Sequence, residues 1–525
     1  MKINIPIPNT CIQIMQDLKE KGHLSLIVGG SVRDALLGQP SKDIDIEVYG
    51  TNYNNLVKML KEYGEINLVG KAFGVVKLKD KNEQDYDFSV PRKDSKIEND
   101  PKQIGEQGGN RGRGIKSEFD PNITPKEASS RRDFTFNSIG YNPLTNEVYD
   151  YFGGFNDIEN KIMRATSSQF SEDPLRVLRG FQLISRLGFK AEPKTIEMAK
   201  SLKKEPLVKE RESEEWMKFF TKGKYFKESL QYLIDTEWIE RYPELNAIVD
   251  VEQDKIYHPE GNNFSHLVHS LNAASNICLR KNIIEDDKVV IIASVLGHDL
   301  GKAETTKEET VRGIQRITSK GHANLSGPLT KSLLERIGIK SDIVNKAIKL
   351  AKYHMFHLDY KPKSKKANVR QLAENLYPAT VKELMFVIEA DHSGRPPLEG
   401  GLPEKAQQIK KDAFQEKVYK GKVPSLILGR DILYLFDKPG PLIGQTLEYV
   451  RNKQLSNQIH TKEQAINSAE TFLKSRLLPI SGKDVLEVLG GTGGPYIGEV
   501  LNKAWEAFKN GETIDKNWIK KLNKI

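Results

Sequence analysis

The chain has 525 residues, of which 38% are hydrophobic and 29% are charged, and it carries a formal net charge of +9 with an isoelectric point near 9.0. This length exceeds what one hydrophobic core supports, so we predict several domains. No apolar run reaches the length of a membrane span, and the first residues lack a secretory pattern, which together favour a cytoplasmic protein. Its two cysteines, Cys11 and Cys278, are far apart and argue against a disulfide framework. The basic charge favours a polyanionic partner such as a nucleic acid.

The amino-terminal part reads as a small mixed α/β head. An apolar run from Leu24 to Val28 predicts a strand, and the turn Gly29-Gly30 and helically spaced apolar residues follow it. Further strands are predicted at Asp43 to Val48, Phe73 to Leu78 and Asp85 to Val90. The fold class is therefore α+β, with this head followed by mainly α-helical segments.

The rest of the chain divides by composition. Between Ser95 and Ser130 apolar residues nearly vanish while Gly, Lys and Glu accumulate, which predicts a mobile loop. Beyond Glu172 the patterning is helical. In the tail, LGRDILYLFDKPGPLIGQTL from Leu428 resembles SGKDVLEVLGGTGGPYIGEVL from Ser481, which predicts two similar helix-turn-helix units. Their Gly-Pro turns are candidates for phosphate contacts or are simple helix stop signals.

A candidate nucleotide site follows the first strand. Gly29 and Gly30 allow a triphosphate to approach the backbone at a helix start, and Arg33 can add a charged contact. Asp43 and Asp45 lie two apart on a strand and therefore share its outer face. Paired carboxylates repel unless a cation lies between them, so we predict a Mg²⁺ site for two-metal phosphoryl transfer. Asp87 is the candidate for a third carboxylate on a neighbouring strand.

Several motifs follow one another in a characteristic order: GGSVRDALLG with DID, RRDFTFNSIGY, DYFGG and EDPLRVLRGFQLISRLGF. With them the sequence resembles the class II tRNA nucleotidyltransferases, the CCA-adding enzymes, and the related bacterial poly(A) polymerases. The resemblance is strong from Leu24 to about Phe189 and weaker towards the tail. It implies template-independent RNA nucleotidyl transfer with ATP and CTP as substrates and tRNA as partner, and it places metal on Asp43, Asp45 and Asp87.

The same resemblance implies a nucleotide-binding set. It assigns the ribose and phosphates to Arg131, Arg132, Asp133 and Asn137, base recognition to Glu172, Asp173 and Arg176, and a flexible element to Asp150, Gly153 and Gly154. An Asp accepts from the exocyclic amine that cytosine and adenine share, whereas an Arg donates to ring acceptors. On one helix Asp173 and Arg176 would share a face that Arg179 continues. An ordinary intrahelical ion pair is the alternative.

Two features favour CCA addition over poly(A) synthesis. Poly(A) polymerases usually show a bulky basic pair where this chain reads LVGKAFGVVKL, with Ala72 at one of those places. They also generally lack a histidine-rich domain of the kind that follows here.

A second chemical domain is indicated because eight of the ten histidines fall between His258 and His392. His266, the pair His298-Asp299 and Asp391 have the spacing of HD-type phosphohydrolases, whose helices project imidazoles and carboxylates towards metal. His322 and His354 lie between these anchors, as in HD enzymes that hold two metals. Neutral imidazole suits Ni²⁺, Mn²⁺ or Fe. Family members commonly have Glu after the counterpart of His322, whereas this chain has Ala323.

The remaining histidines, His258, His269, His357 and His392, are expected to be ordinary surface or core residues. In CCA-adding enzymes with an HD domain, the resemblance implies phosphodiesterase action on 2′,3′-cyclic phosphates and phosphatase action in tRNA end repair. The predicted domains are residues 1–170 (nucleotidyltransferase head), 171–245 (helical neck), 246–410 (HD domain) and 411–525 (helical tail that contacts tRNA). The sequence carries no signal for the oligomeric state.

Two other classes of function compete with this interpretation. A signalling hydrolase would use the HD domain on a nucleotide messenger and the head as a sensor, but the intact DID and EDPLR motifs argue against it. An RNA-binding scaffold would use the basic KPKSKKANVR from Lys361 and the lysine-rich end. The retained metal ligands in both domains argue against the scaffold.

Overall fold

The computed structural model describes residues 5–39, 43–68, 74–96, 115–361, 366–436, 440–490 and 493–522. Contacts between Cα atoms divide the chain into two compact units. The first unit comprises residues 1–355 and 386–403, and the second comprises residues 356–385 and 404–525. The first unit thus contains all residues predicted for both candidate sites, while the finer domain boundaries stay a prediction.

The strands lie mostly in the amino-terminal part of the chain. In chain order they are β1 (Leu24–Val28), β2 (Asp45–Tyr49), β3 (Gly64–Asn67), β4 (Val75–Asp80), β5 (Asp85–Ser89), β6 (Arg92–Lys96), β7 (Ile115–Phe119), β8 (Gly140–Asn142), β9 (Glu147–Tyr149), β10 (Ile162–Met163), β11 (Lys190–Ala191), β12 (Lys307–Val311) and β13 (Ile314–Thr318). One sheet has the order β3-β4-β5-β2-β1-β8-β9. Its β2 and β5 are parallel, and its other neighbours are antiparallel.

Helices occupy most of the remaining described chain. In the first half they are α1 (Asn9–Glu20), α2 (Gly30–Leu36), α3 (Tyr53–Leu60), α4 (Pro125–Ser130), α5 (Gly154–Glu159), α6 (Leu175–Leu187), α7 (Pro193–Ser201), α8 (Lys209–Lys222), α9 (Phe226–Asp235) and α10 (Pro243–Asn246). In the second half they are α11 (Asn263–Arg280), α12 (Glu285–Gly297), α13 (Lys302–Thr305), α14 (His322–Ile337), α15 (Ser341–Tyr353), α16 (Phe356–Asp359), α17 (Lys366–Leu376), α18 (Val381–Ser393), α19 (Glu404–Gln415), α20 (Gly429–Ile432), α21 (Pro441–Leu455), α22 (Lys462–Leu477), α23 (Gly482–Leu489), α24 (Pro495–Lys509) and α25 (Lys516–Leu522). The predicted α+β class, a mixed head followed by helices, is confirmed.

The alternation around DID is confirmed at the level of single residues. Ile44 and Ile46 are buried, whereas Asp43 and Asp45 are exposed. Because successive side chains of a strand point to opposite faces, the apolar residues enter the core and the carboxylates stay at the open face. The core thus fixes which way both acids point.

Aromatic packing holds the helix that follows the head. On α6, Phe181 stacks on Phe219 of α8 with 4.7 Å between ring centroids. The ring of Trp216, also on α8, lies 4.8 Å from that of Phe181. The indole nitrogen of Trp216 donates to the hydroxyl of Tyr242 at 2.9 Å. Burying such rings contributes on the order of 1.5–3 kcal/mol each. This cluster fixes α6, which carries Arg176 and Arg179, against α8.

The predicted mobile loop at 95–130 is wrong at both ends. Strands β6 and β7 pair antiparallel from Arg92↔Phe119 to Lys96↔Ile115, so backbone hydrogen bonds order these residues despite their polar side chains. Helix α4 begins in a capping box, in which Thr124 and Glu127 satisfy each other's backbone N–H groups, with a proline at the first helical position. The Gly-rich GGNRGRG lies outside the described residues.

A hairpin interrupts the helical region. Strands β12 and β13 pair from Lys307↔Thr318 to Val311↔Ile314, and the turn residues Arg312 and Gly313 have φ of 52° and 79°. Positive φ at both central residues is typical of a two-residue hairpin turn. No residue of either strand is buried, so the sequence shows no hydrophobic alternation that would predict them.

The second unit contains the internal repeat predicted for the tail. In the first copy Asp431 accepts from the backbone N–H of Leu428 at 2.8 Å, and in the second Asp484 accepts from that of Ser481 at 2.8 Å. Gly440 and Gly494 both precede a helix-starting proline in the same extended conformation. The two copies therefore share their local geometry as well as their sequence.

Among the described residues, no helix is both long enough and apolar enough to cross a lipid bilayer.

Candidate active sites

The first candidate site lies on the open face of the head sheet. Asp45 on β2 is in register with Asp87 on β5, and Asp87 is in register with Lys77 on β4. In-register neighbours on adjacent strands place their side chains on the same face. The three predicted carboxylates Asp43, Asp45 and Asp87 therefore lie together, and the ammonium of Lys77 contacts both oxygens of Asp87 at 2.8 and 3.0 Å.

The electrostatics around Asp43, Asp45 and Asp87 suit a divalent cation. Although Asp45 is exposed at the sheet face, the protein around its carboxylate displaces part of the surrounding water, and this desolvation raises the pKa of Asp45. The negative charges of Asp87 and Asp43 raise it further, while Arg132 and Lys77 oppose them. A bound cation would stabilise the ionised form of such a carboxylate. Hard oxygen ligands at the edge of a solvent-accessible face are what Mg²⁺ prefers, so the donor set fits this ion.

The glycine turn lies directly beside these acids. Gly29 has φ of 75°, and a Cβ there would lie 3.3 Å from Nη1 of Arg132 and 3.6 Å from Oδ2 of Asp45. A side chain at this position would therefore crowd the site. Gly30 opens α2, on which the buried Arg33 donates to Oδ1 of Asn137 at 2.7 Å and binds its neighbour Asp34.

Asp133 is the centre of a buried network. Its Oδ1 accepts from Asn137 Nδ2 at 2.9 Å and from its neighbour's backbone N–H at 2.8 Å, while Oδ2 accepts from Nε of Arg179 at 2.8 Å. Burial disfavours its charge, but Arg179 and Asn137 outweigh burial and lower the pKa of Asp133 to about 2. The structure thus joins RRDFTFN to the helix of EDPLR through one carboxylate.

The other members of the predicted nucleotide set lie around this network. Arg132 pairs with Glu47 at 3.1 Å beside Asp45, and Nη2 of Arg131 lies 3.7 Å from Glu172. In the predicted flexible element, both oxygens of Asp150 accept backbone N–H groups at the start of α5. The head thus arranges charged groups around the acids rather than scattering them.

Asp173 and Arg176 do not share a helical face, so this prediction is wrong. Asp173 precedes α6 with an extended backbone, and its carboxylate accepts from the N–H of Leu175 at 3.1 Å. Pro174 follows it, and a residue before proline is disfavoured in the helical region. Arg176 donates to the backbone oxygens of Gln169 and Arg131, and the charge partner of Asp173 is Arg211 of α8 at 2.8 Å. Sequence analysis missed Arg211.

The second candidate site gathers imidazoles from separate helices. His298, His322 and His354 direct Nδ1 to the backbone oxygens of Val295, Ser319 and Ala351 at 2.6 to 2.7 Å, and His266 directs Nδ1 to Glu260 at 2.8 Å. Oxygen acceptors place the Nδ1 proton, so the Nε2 atom of each ring is directed towards the centre, where it can bind a cation. All four Nε2 atoms therefore face one buried centre.

The ligand atoms of this centre form two groups. Nε2 of His266 lies 3.3 Å from that of His298 and 3.1 Å from Oδ1 of Asp391. Nε2 of His322 lies 3.2 Å from that of His354. Asp299 joins the groups, since its Oδ1 is 3.2 Å from His322 and its Oδ2 is 3.2 Å from His298. All six predicted ligands are thus brought together.

The charges of this centre fit one or two metal ions. Burial opposes protonation of His266, but hydrogen bonds to Asp391 and Glu260 outweigh it and raise its pKa to about 9, so a metal ion that bound Nε2 would displace a proton from it. Burial and the neighbouring imidazoles lower the pKa of His354 to about 3. Asp299 Oδ2 is buried without a hydrogen-bond donor, although Lys302 lies 2.7 Å from it. Buried imidazoles that converge on shared carboxylate oxygens are a transition-metal donor set.

These geometries can be compared with known proteins. The family model of the poly A polymerase head domain matches residues 25–164. The multifunctional CCA protein of Xylella fastidiosa is 31% identical over 386 residues, which cover 71% of this chain and 84% of that protein. The chain belongs to the multifunctional CCA protein family. The relative from Nitrosococcus oceani is 27% identical over 444 residues and is covered over 98% of its length.

Solved structures of CCA-adding enzymes share the fold of this CCA-family chain. The Thermotoga maritima CCA-adding enzyme, solved in complex with tRNA, has a TM-score of 0.51 at 18% identity and covers 89% of this chain and 96% of its own. An apo CCA-adding enzyme has a TM-score of 0.54 at 19% identity and covers 89% and 97%. The predicted membership among class II nucleotidyltransferases is confirmed, and this family implies a divalent metal ion in the head.

Two residues of the second site were not predicted. The side chain of Glu260 is buried, and its Oε1 lies 2.8 Å from Nδ1 of both His258 and His266. His258, expected to be ordinary, therefore belongs to a group that could itself hold a metal. Only the spacing His-Pro-Glu before the helix of His266 could have indicated them. His269 is exposed and His357 lies in the second unit, while Ala72 is outside the described residues.

Proposed function

We propose that this CCA-family chain adds CMP, CMP and AMP to the 3′ end of tRNA, with CTP and ATP as substrates. The observation that carries the proposal is the placement of Asp43 and Asp45 on the open sheet face beside the Gly29 turn and Arg132. The Xylella relative is a multifunctional CCA protein, and the Thermotoga structure is a CCA-adding enzyme bound to tRNA. The domain boundaries at 170, 245 and 410 and a cytoplasmic location are part of this proposal.

The chemistry in the head is an in-line phosphoryl transfer. The 3′ oxygen of the RNA bonds to the α-phosphorus of the nucleotide as the bond to pyrophosphate breaks, and the hydroxyl proton leaves to solvent or base. Asp43 and Asp45 would hold Mg²⁺, which activates the hydroxyl and neutralises the phosphates. Arg132, fixed by Glu47, adds positive charge beside the triphosphate.

Base and sugar selection belong to the junction of head and neck. Asp173 and Arg176 are assigned to the Watson–Crick edge of the base, with Glu172 beside them. Asp133 accepts from the ribose, and Arg131, Asn137 and Arg179 complete the pocket with Gly29, Gly30 and Arg33. Asp173 accepts from the exocyclic amine of cytosine or adenine and rejects uracil and guanine, which present a carbonyl there.

We further propose that the histidine centre hydrolyses 2′,3′-cyclic phosphates and phosphate monoesters at RNA ends. Asp299 with His266, His298 and Asp391 forms one metal group, and Asp299 with His322 and His354 forms the other. Ni²⁺, Mn²⁺ or Fe bound there would supply an activated water. Water opens the cyclic ester to a monoester, and a second water releases inorganic phosphate. The product is the free 3′ hydroxyl that the head requires.

Primer extension tests the polymerase proposal. A tRNA transcript that ends before CCA is incubated with Mg²⁺ and with CTP, ATP or both. Addition of two cytidines and then one adenosine, followed by a stop, is the expected result. A long adenosine ladder from ATP alone would make the chain a poly(A) polymerase, and the absence of incorporation would overturn the proposal.

Hydrolysis of 2′,3′-cyclic AMP and of RNA with a cyclic phosphate end tests the second proposal. Release of monoester and then phosphate is expected with added Ni²⁺ or Mn²⁺. Turnover of a nucleotide messenger such as a guanosine polyphosphate, without turnover of cyclic phosphates, would favour a signalling hydrolase instead.

A further inference from the structure

Lys77 is a charged residue on the open face of the head sheet, and the sequence motifs assigned it no role. It lies on β4 in register with Asp87, which is itself in register with Asp45. Adjacent strands are roughly 4.8 Å apart, so Lys77 lies about two strand spacings from the metal-binding acid. A cation, a carboxylate and the metal-binding carboxylate thus form one row across three strands.

The ammonium of Lys77 is held rather than free. It contacts both oxygens of Asp87 at 2.8 and 3.0 Å, while the Lys77 side chain is 52% exposed and Asp87 is 35% exposed. A lysine that only served solubility would gain little from such a tether, because exposed ion pairs contribute little to stability. The contact with Asp87 instead holds a positive charge at the open face, beside the proposed nucleotide site.

The charged side chains of this row are partly paired with each other. Asp43, Asp45 and Asp87 carry three negative charges, and Lys77 neutralises the one on Asp87. Arg132, the other nearby cation, is paired with Glu47. Lys77 thus lowers the net negative charge beside the metal-binding acids. Of the three N–H donors of its ammonium, the contacts to Asp87 use two, which leaves one for a phosphoryl oxygen.

We propose that Lys77 binds phosphoryl oxygens in the nucleotidyl-transfer site and that Asp87 positions Lys77 instead of ligating the metal. The proposal rests on the proposed nucleotidyltransferase function. It revises the expectation, from resemblance and strand position, that Asp87 is the third metal ligand. The phosphoryl oxygens belong to the incoming triphosphate or to the RNA backbone, which steady-state kinetics distinguish.

Kinetics of the full chain with Lys77→Ala provide the first test. Loss of a charge-assisted phosphate contact is expected to raise KM roughly tenfold, for CTP if the triphosphate is bound or for tRNA if the backbone is bound. Lys77→Arg keeps the charge and should restore most of the loss. Lys81→Ala, which removes one charge from the exposed turn of the same hairpin, is the matched control. Unchanged KM values for both substrates in Lys77→Ala would overturn the proposal.

A double-mutant cycle and metal binding test the role of Asp87. Asp87→Ala should reproduce the kinetic defect of Lys77→Ala, and the double variant should be no worse than either, because both act through one contact. Binding of Mn²⁺ to the head, followed by electron paramagnetic resonance in protein whose histidine centre is removed by His298→Ala and Asp299→Ala, should be unchanged by Asp87→Ala and weakened at least tenfold by Asp45→Ala. Weakened binding in Asp87→Ala would overturn the proposal. Wild-type protein that incorporates no nucleotide would instead refute the proposed function.

Discussion

Oδ1 of Asp299 lies 3.2 Å from Nε2 of His322, whereas the other oxygen of the same carboxylate faces His298. One side chain therefore serves both histidine groups. If two cations bind, Asp299 would supply one oxygen to each group, which suits the two-metal hydrolysis proposed for this centre. The neighbouring pair His298-Asp299 supplies this geometry because α12 ends there.

Metal content should follow this division. Wild-type protein loaded with Ni²⁺, which suits imidazole better than the carboxylates of the head, is expected to bind two ions per chain in the histidine centre, and His354→Ala should bind one, because the group of His322 and His354 loses half of its imidazoles. Elemental analysis after gel filtration measures the ratio. His269→Ala, which removes an exposed imidazole from α11, should keep two ions. Equal metal content in wild type and His354→Ala would contradict a two-metal centre.

The two activities should be separable by mutation. Asp43→Ala and Asp45→Ala are expected to reduce nucleotide incorporation to background while cyclic phosphate hydrolysis persists, because the metals at the two sites have different ligands. His298→Ala and Asp299→Ala should do the reverse. Both activities are measured on the same preparations, with circular dichroism as a check of folding. A folded variant that loses both activities would contradict two independent sites.

Base selection should depend on Asp173. Replacement by Ala removes the acceptor for the exocyclic amine, so the preference of kcat/KM for CTP over UTP is expected to fall by about tenfold to a hundredfold, the value of one or two hydrogen bonds. Single-nucleotide incorporation with each of the four triphosphates measures it. Glu214→Ala on the exposed side of α8 is the charge-matched control. An unchanged preference would assign base selection to other residues.

The pH dependence of stability should report on Asp133. Its folded pKa of about 2 lies below the ordinary value of 3.8, so it contributes stability above about pH 4 that is lost as the pH falls towards 2. The shift corresponds to about 2 kcal/mol at neutral pH. Asp133→Asn should therefore melt at a lower temperature than wild type at pH 7, and the gap should narrow towards pH 3. Thermal melts followed by circular dichroism measure it, and a gap that stays constant with pH would contradict the assignment.

Sequence patterns predicted the elements that have a buried face. The strand Leu24–Val28 matches β1 residue for residue, and the alternation from Asp43 to Ile46 places the acids as expected. The peripheral strands β3 and β9 and the hairpin of β12 and β13 were missed, because short or exposed strands lack a hydrophobic period. Helix α4 was missed although Thr124, Pro125 and Glu127 form a capping signature that the sequence displays.

The candidate ligands were found from spacing, but their supports were not. His266, His298, Asp299 and Asp391 follow a recognisable order, whereas Glu260 and Lys77 become relevant only through contacts that the fold creates. Arg211 lies 38 positions from its partner Asp173 and depends on the aromatic packing of α8 on α6. Such partners are set by tertiary structure, which single-sequence periodicity does not encode.

The tail repeat has a consequence for how the family can change over time. Each copy closes its own apolar cluster, one around Ile427, Ile432 and Val450 and the other around Ile480, Val485 and Ala504. A self-contained segment of about fifty residues can be gained, lost or exchanged by recombination without exposing the interior of its neighbour. We therefore expect relatives to differ in the number of such tail segments, and so in the length of the carboxyl-terminal region, rather than in the catalytic head.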